Sequence, residues 1–189
     1  AAEFIGIDYR APFTPEATPA PTPQPPPPPH PMKTYAFAAN SQELVFDGSS
    51  NYKWFTDPYF HDGRMIISAG KLASDGKNVA FSDMFFFNPE DRSAEKLSLS
   101  PQNFHFMYPK FNGKWLVYLD AKIDEGGAIM AVDLTASPLK AVKVKDIYSG
   151  QPEPFLSDNY VAFTDRTGTT KDKLFVYDLT TMESTVVAM

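Results

Sequence analysis

The sequence predicts an all-β protein, and three observations lead to this fold class. A stretch near the C-terminus repeats at an offset of 45 residues, since 108–120 reads YPKFNGKWLVYLD and 153–165 reads EPFLSDNYVAFTD. Short apolar segments alternate with polar residues at period two, and Gly, Asn and Asp punctuate them, which is typical of strands and hairpins. No long window keeps apolar residues at the spacing of a helix.

The repeat predicts the architecture. Its register continues through the next segment, because 129–135 aligns with 174–180 at the same offset. A period of about 40–50 residues with several short strands per unit is typical of the blades of a β-propeller. We therefore predict propeller-like blades of short antiparallel strands. One blade cannot bury both of its faces, so the function should belong to an assembly of blades.

The length of the repeating part leaves the ring incomplete. Segment 33–189 holds about three and a half blades of about 45 residues, whereas closed propellers have about four to eight. Three completions stay open. Two chains form one ring, the chain is a piece of a longer propeller, or the N-terminal strand closes a small ring. We favour the oligomer or the piece of a longer propeller.

The N-terminal part divides into two segments. Residues 1–11 contain the strand-like run EFIGIDYR, and residues 12–32 form a proline-rich linker with eleven of the 18 prolines. Consecutive prolines lack N–H donors and favour an extended polyproline II conformation. This segment is either a spacer between an anchor and the folded domain, a tether that delivers 3–10 to the edge of another sheet, or a proline-rich ligand.

The strands expected in 33–107 are short, and the sequence places them at 35–37, 44–46, 54–55, 65–68, 78–82, 85–87 and 95–99. The turn Ser74–Lys77 before Val79 is expected to match 112–114 before Leu116. On this alignment Asp83-Met84 is a short link, while the corresponding links at 121–127 and 166–173 are longer. Such variation predicts loops of different length on one rim.

A family resemblance follows from the repeat. The pattern Pro-x-Phe-x-x-Gly-Lys, a strand ending in Asp, and an apolar strand ending in Asp-Leu resembles the TolB-type β-propeller repeat. The best copies are 109–134 and 154–179, and the resemblance covers 70–189 and, more faintly, 58–69. The copies depart at 157–159, which lacks Gly-Lys, and at 87–89, which lacks Asp-Leu. The resemblance implies a fold that many functions share.

Composition excludes several classes of function. A net charge of −6 disfavours nucleic acid or an anionic membrane as the partner, because both require a basic surface. Without cysteine there is no disulfide, thiolate metal site or Cys nucleophile. No apolar run reaches the roughly 18 residues of a transmembrane helix. The chain begins Ala1-Ala2-Glu3, so we expect a processed or trimmed bacterial-type protein of the cell envelope or the extracellular space.

One segment suggests an enzyme. In 56–64, TDPYFHDGR, an Asp-Pro followed by Asp-Gly resembles the opening of five-bladed glycosidases, which implies that Asp57 is a general base. Such enzymes need a second carboxyl group across the scissile bond, for which Glu125 and Glu153 are the candidates. The plainer interpretation is a strand that ends in an Asp-Gly turn.

No metal or cofactor is predicted. The three histidines stand without a second ligand at useful spacing; they are His30, His61 and His105. Acidic residues near strand ends suggest a calcium site, but they lack the fixed spacing of an EF-hand loop; they are Asp120, Asp124, Glu125, Asp165 and Asp172. No nucleophile elbow or phosphate-binding loop occurs.

The leading hypothesis is a non-enzymatic binding or scaffolding module of the cell envelope with a protein or peptide partner. The candidate binding residues lie in rim loops, and they are Asp120, Asp124, Glu125, Asp165 and Arg166. A variant of this hypothesis is self-assembly through exchange of the N-terminal strand. The alternative is a propeller enzyme, either a glycoside hydrolase with Asp57 as the base or the propeller part of a peptidase whose catalytic domain is separate.

Overall fold

The computed structural model describes residues 52–91, 93–166 and 172–187, all of which belong to the compact unit Val45–Met189. These residues form strands and turns, and no helix occurs among them, so none of their segments is a membrane-spanning helix. The strands are β1 (Trp54–Phe55), β2 (Tyr59–His61), β3 (Arg64–Leu72), β4 (Val79–Phe87), β5 (Ala94–Lys96), β6 (His105–Phe111), β7 (Trp115–Ala121), β8 (Gly127–Asp133), β9 (Ala141–Ile147), β10 (Phe155–Ser157), β11 (Tyr160–Asp165), β12 (Lys173–Asp178) and β13 (Glu183–Val187).

The strands form three antiparallel sheets. Sheet 1 has the order β1-β3-β4-β5, with β2 also paired to β3; sheet 2 has the order β6-β7-β8-β9; sheet 3 has the order β10-β11-β12-β13. The offset of 45 residues relates β7 to β11 and β8 to β12, so the repeat corresponds to the sheet. The predicted all-β fold of blade-like antiparallel sheets is confirmed. The predictions for 1–11, 12–32, 35–37 and 44–46 lie outside the described residues.

The prediction of two separate strands at 78–82 and 85–87, linked by Asp83-Met84, was wrong. β4 runs without a break from Val79 to Phe87 and pairs with β3 along its length, so Asp83-Met84 is not a link. The turn Ser74–Lys77 therefore joins β3 to β4, the two long strands of sheet 1. The counterpart of 112–114 is instead the turn Asp62-Gly63. The three equivalent connections, 73–78, 122–126 and 166–172, are similar in length, and the predicted lengthening is not found.

A polar side chain inside β4 explains the error. Asp83 is buried, and its carboxylate forms ion pairs with Lys96 and, at 3.7 Å, with Lys71. The hydroxyl of Ser82 donates a hydrogen bond to the same carboxylate over 2.7 Å. Burial acts to raise the pKa of Asp83, but the contacts with Lys96, Ser82 and Tyr52 lower it below the usual range. A charged residue can thus continue a strand when a partner is available.

Tight hairpins join β2 to β3, β6 to β7 and β10 to β11. The turns are Asp62-Gly63, Gly113-Lys114 and Asp158-Asn159, flanked by the closing pairs His61–Arg64 and Ser157–Tyr160 in sheets 1 and 3. Asp62 and Gly63 have φ angles of 45° and 73°, as a type I′ turn requires. A type I′ turn matches the twist of the strands it joins. The three short turns lie at the same end of the three sheets.

The first strand of sheet 2 contains a β-bulge. Met107 pairs with Leu119 and Lys110 with Val117, so Tyr108 and Pro109 together lie opposite a single residue. Tyr108 has a φ of 51°, in the left-handed region that non-glycine residues rarely adopt. The bulge bends β6 and directs Lys110 toward the neighbouring sheets.

The sheets pack face to face in chain order. Residues of sheets 1 and 2 form one hydrophobic core, which includes Ile66, Met84, Phe86, Phe106, Leu116, Tyr118 and Met130. Residues of sheets 2 and 3 form a second core, which includes Val117, Leu119, Ile129, Val161, Phe163 and Phe175. Sheet 2 is thus covered on both faces, as an inner blade must be. The three sheets do not close a ring within the described residues.

The connections sort to two ends of the stack. The three hairpin turns at 62–63, 113–114 and 158–159 define the hairpin end. The connections 73–78 and 122–126, together with the one that leaves β11 at Asp165, define the opposite end, called the loop end below. Alternation of the chain direction in antiparallel sheets enforces this separation. Any surface that combines several sheets must therefore lie at one end or the other.

Candidate functional site

Asp120, one of the predicted binding residues, is buried near the end of β7 with 1 % of its surface exposed. Its carboxylate accepts hydrogen bonds from the backbone N–H groups of Gln102 at 2.7 Å and Asn103 at 3.0 Å. Burial raises the pKa of Asp120, although these two bonds act to lower it. The carboxylate holds the segment that leads into β6 in place. The structure therefore gives Asp120 a role in stabilising the fold.

Asp165, at the equivalent repeat position, is also buried. Its carboxylate lies 3.6 Å from the ammonium of Lys145 on β9. The same ammonium lies 4.6 Å from the ring centre of Phe175, which adds a cation–π contact. These contacts join sheet 2 to sheet 3 through a cation on the preceding sheet.

The other predicted residues are exposed at the loop end. Asp124 and Glu125 line a cavity of about 540 Å³ beside the segment 102–104. Glu125 accepts a hydrogen bond of 3.5 Å from the backbone of Gly150. The Nε of Arg166 donates to the carboxylate of Asp172 at 3.1 Å. Asp124, Glu125 and Arg166 stay predicted binding residues, and no group of three metal-ligating side chains occurs in the part of the chain described.

The carboxylates of the enzyme alternative lie on different sheets. Asp57 is exposed between β1 and β2 of sheet 1. Glu125 belongs to the loop end of sheet 2, while Glu153 precedes β10 and forms an ion pair with Lys110. Asp57 as a general base stays a prediction.

Two histidines link neighbouring sheets. The Nδ1 atom of His105 accepts a hydrogen bond from the backbone N–H of Phe81 at 3.3 Å, and burial lowers the pKa of His105. His61 lies at the hairpin end, with its ring centre 5.6 Å from that of Phe111. His30 lies outside the described residues. His105 is thus part of the contact between sheets 1 and 2, whereas the side chain of His61 lies exposed at the hairpin end.

That surface is a groove at the hairpin end, which the sequence did not indicate. Two adjoining cavities of about 590 Å³ and 360 Å³ share the residues His61, Phe111, Asn112 and Gly113. The larger cavity has a floor formed by Tyr59 and Phe111, and its walls come from the first hairpins of all three sheets. We call the two cavities together the hairpin-end groove.

Hydrogen bonds between hairpins hold the groove open. The side-chain amide of Asn112 donates to the carbonyl oxygen of Asp158 at 2.8 Å, and the indole N–H of Trp115 donates to the side-chain oxygen of Asn159 at 2.9 Å. The backbone N–H of Trp115 in turn donates to the side-chain oxygen of Asn112 at 2.7 Å. The turns of sheets 2 and 3 therefore keep a fixed separation, which pre-organises the groove for a ligand.

A cation lies behind the floor of the groove. Lys110, directed inward by the bulge, pairs with Glu153 of sheet 3. Its ammonium also lies 4.8 Å from the ring centre of Tyr59 in sheet 1. One side chain of sheet 2 thus contacts sheet 1 and the segment that leads into sheet 3, which fixes the aromatic floor from below.

The groove can bind a ligand by mixed contacts. Its walls carry the ammonium of Lys114, the hydroxyl of Ser157 and the carboxylate of Asp158. The aromatic rings of Tyr59 and Phe111 supply an apolar floor. Such a mixture of rings and a few fixed polar groups is typical of binding pockets.

Comparisons with known proteins support the fold. No family model matches the chain, and no curated protein matches it. Two solved structures are similar: the β-propeller domain of the Trilobed protease from Pyrococcus furiosus, which has an open velcro topology (12 % identity, TM-score 0.51, covering 72 % of this chain and 43 % of that one), and an acylaminoacyl peptidase of Pyrococcus horikoshii (13 % identity, TM-score 0.52, covering 77 % and 26 %).

The present chain spans less than half the length of either solved structure. At these identities the likeness concerns the fold alone. It confirms the propeller prediction, and three sheets that do not close into a ring agree with an incomplete propeller.

Proposed function

We propose that this chain is part of a TolB-type propeller that binds a protein or peptide partner at the hairpin-end groove and serves as a scaffold. The observation that carries the proposal is that three sheets, far apart in sequence, build the groove together. Its hairpins are fixed by the bonds from Asn112 and Trp115 to the turn of sheet 3. A surface so constructed exists only in the assembled blades, where the function of a propeller is expected.

A peptide is the ligand class that the groove supports best. An extended chain offers both backbone polar groups and side chains, and the groove offers aromatic rings together with charges of both signs on Lys114 and Asp158. The two similar solved structures come from a protease and an acylaminoacyl peptidase. The TolB-type pattern in 109–134 and 154–179 adds a link to propellers of the bacterial envelope.

The proposed location is the bacterial cell envelope or the extracellular space. The absence of cysteine and the proline-rich segment 12–32 support this location, since such a segment suits a spacer. Exchange of the strand-like run 3–10 between copies is part of the same proposal. The glycoside hydrolase alternative has no observation in its favour beyond the local sequence around Asp57.

Selection of peptides against the purified chain tests the proposal. Random peptides displayed on phage are selected on the wild-type protein, and the affinities of the recovered peptides are measured by calorimetry. We expect His61→Ala and Lys114→Ala to weaken binding about tenfold, which corresponds to about 1.4 kcal/mol. Asp124→Ala at the loop end is the matched control and should leave the affinity unchanged.

Two results would count against the proposal. Recovery of no binding peptide would oppose the ligand class. Peptides that lose affinity for Asp124→Ala but not for the two groove variants would move the site to the loop end, where the sequence had placed it.

A further inference from the structure

The smaller cavity of the hairpin-end groove differs in chemistry from the larger one. It opens between sheets 1 and 2, and its volume of about 360 Å³ falls within the range of about 300–1,000 Å³ that is usual for ligand pockets. Its apolar lining residues are Phe86, Leu97, Phe111, Leu134 and Leu139. The larger cavity is lined mainly by polar residues of the turns. We call the smaller cavity the inter-sheet pocket.

The base of the inter-sheet pocket is a fixed apolar surface. Phe86 and Phe111 are buried and pack edge to face, with their ring centres 4.8 Å apart. The backbone N–H of Leu134 donates to the carbonyl oxygen of Lys114 at 2.7 Å, which ties one wall to the turn of sheet 2. The pocket is therefore pre-formed, and a ligand does not have to pay for ordering its walls.

This base accommodates an apolar side chain. Phe86, Leu97 and Phe111 belong to the hydrophobic core between sheets 1 and 2, and Leu134 and Leu139 pack against that core. A polar group placed there would lose its hydrogen bonds to water and meet only hydrocarbon. An aliphatic side chain would extend the core outward, and its burial raises the affinity about tenfold or more.

The mouth of the inter-sheet pocket is acidic. The guanidinium of Arg64 lies 4.2 Å from the ring centre of Phe86 and 3.5 Å from the carboxylate of Glu95. The side chains of this pair are 46 % and 73 % exposed, so the pair contributes little and can exchange partners with a ligand. Asp62 adds a second carboxylate. Two carboxylates and one guanidinium leave a net negative mouth, which favours a cationic group of the ligand.

We propose that the inter-sheet pocket binds one apolar side chain of the peptide ligand, and that Asp62 and Glu95 select a basic residue next to it. The inference rests on the proposed function, since it names which peptides the hairpin-end groove binds. The larger cavity, with Lys114 and Asp158, then contacts polar groups further along the same peptide.

Capped dipeptides test the inference by NMR spectroscopy on the full chain with labelled leucine methyl groups. The probes are acetyl-leucyl-lysine amide, acetyl-alanyl-lysine amide and acetyl-leucyl-glutamic acid α-amide. Each probe buries a single side chain, so the titration extends to about 30 mM, which covers a dissociation constant in the millimolar range. The leucyl-lysine probe should shift the methyl signals of Leu97, Leu134 and Leu139. The slope of shift against concentration should be about tenfold smaller for the alanyl probe and about two- to fivefold smaller for the glutamic acid probe.

Three variants locate the contacts. Leu139→Phe fills the inter-sheet pocket and should reduce the slope for the leucyl-lysine probe about tenfold. Leu72→Phe, at an exposed position of the loop end (50 % exposed), is the matched control and should respond as the wild type does. Glu95→Lys changes an exposed side chain outside the core and turns the net charge of the mouth positive. It should reverse the preference between the lysine and glutamic acid probes.

The outcomes separate this inference from the proposed function. Leucine methyl signals that no dipeptide moves would overturn the inference and assign the pocket to another occupant, such as a segment of the same chain. Equal slopes for the leucyl and alanyl probes, or a preference for lysine that Glu95→Lys leaves unchanged, would also overturn it. Displayed peptides whose affinity depends on Lys114 but not on Leu139 would support the proposed function and contradict this inference alone.

Discussion

Replacing Asp120 by alanine separates a structural from a ligand-binding role for this residue. In the structure its buried carboxylate accepts two short backbone hydrogen bonds, from Gln102 and Asn103. A hydrogen bond to a charged group contributes about 1.5–3 kcal/mol, and part of this is offset by the cost of burying the ionised carboxylate. We expect Asp120→Ala to lower the free energy of unfolding by about 2–4 kcal/mol.

Urea denaturation followed by fluorescence measures this loss. With a slope of about 2 kcal/mol per molar urea, the midpoint should fall by about 1–2 M while the slope stays constant. Asp124→Ala, four residues further along the chain and exposed, is the matched control and should change stability by less than about 0.5 kcal/mol. A midpoint for Asp120→Ala within error of the wild type would refute the reasoning.

The pH dependence gives a second readout of the same variant. Because the pKa of Asp120 is raised in the folded state, its contribution is fully present below the ordinary value of 3.8 and declines as the pH rises through the folded value. The difference in unfolding free energy between wild type and Asp120→Ala should therefore be larger at the acid end of that window than above it. The opposite trend would show that the hydrogen bonds, and not burial, dominate the pKa.

Three further predictions use the same denaturation assay. Gly127→Ala should lower the free energy of unfolding by about 3 kcal/mol or more, because Gly127 has a φ of 140° and a Cβ there would collide with backbone atoms of the paired strand. Gly113→Ala is the control, since the space around Gly113 is open, and it should change the free energy of unfolding by less than about 1 kcal/mol. Equal effects of the two substitutions would contradict the steric argument. Lys145→Met should cost about 3–5 kcal/mol by removing the cation beside a buried carboxylate, and a neutral result would show that the pair adds nothing. The pKa of Asp83 is lowered on folding, so its contribution is present above 3.8 and is lost as the pH falls through the folded value; Asp83→Asn should flatten this acid loss, and an unchanged acid limb would disprove the assignment.

The repeat allowed the two inner strands of sheets 2 and 3 to be predicted, namely β7 and β8 and their counterparts β11 and β12. Trp115 and Tyr160 begin equivalent strands, and Asp120 and Asp165 lie at equivalent positions near their ends. The turn signals between them also coincide, so local pattern and long-range period agree. Where these two signals agree, the alternation of apolar residues is sufficient to place a strand.

Sheet 1 could not be aligned from the sequence because it contains two Asp-Gly turns. Asp62-Gly63 and Asp75-Gly76 are both good turn sequences, and only the pairing of β3 with β2 and β4 shows which hairpin each one closes. The buried Asp83 inside β4 added to the error, since its partner Lys96 stands on another strand. An ion pair between two strands that stabilises a buried charge leaves no pattern in the local sequence.

The candidate site was less predictable than the fold. The groove combines His61, Phe111 and Ser157, which are the last residues of β2, β6 and β10 in three different sheets and share no motif. The sequence favoured strand-end carboxylates instead, and two of them, Asp120 and Asp165, lie buried against donors that only the folded chain supplies. From the sequence alone, acidic residues near loops are predicted as binding residues whether they bind a ligand or stabilise the fold.

The bulge in β6 has a consequence for aggregation. β6 lies at the inner edge of sheet 2, with no further strand paired to it among the described residues, and a seven-residue edge strand is long enough to recruit a foreign strand. Pro109 has no N–H to offer, and the left-handed Tyr108 turns the backbone out of line, so the row of hydrogen-bonding groups is interrupted at its middle. The strained pair therefore protects an unclosed propeller against amyloid-like growth along this edge, at a cost of about 1–3 kcal/mol in backbone strain.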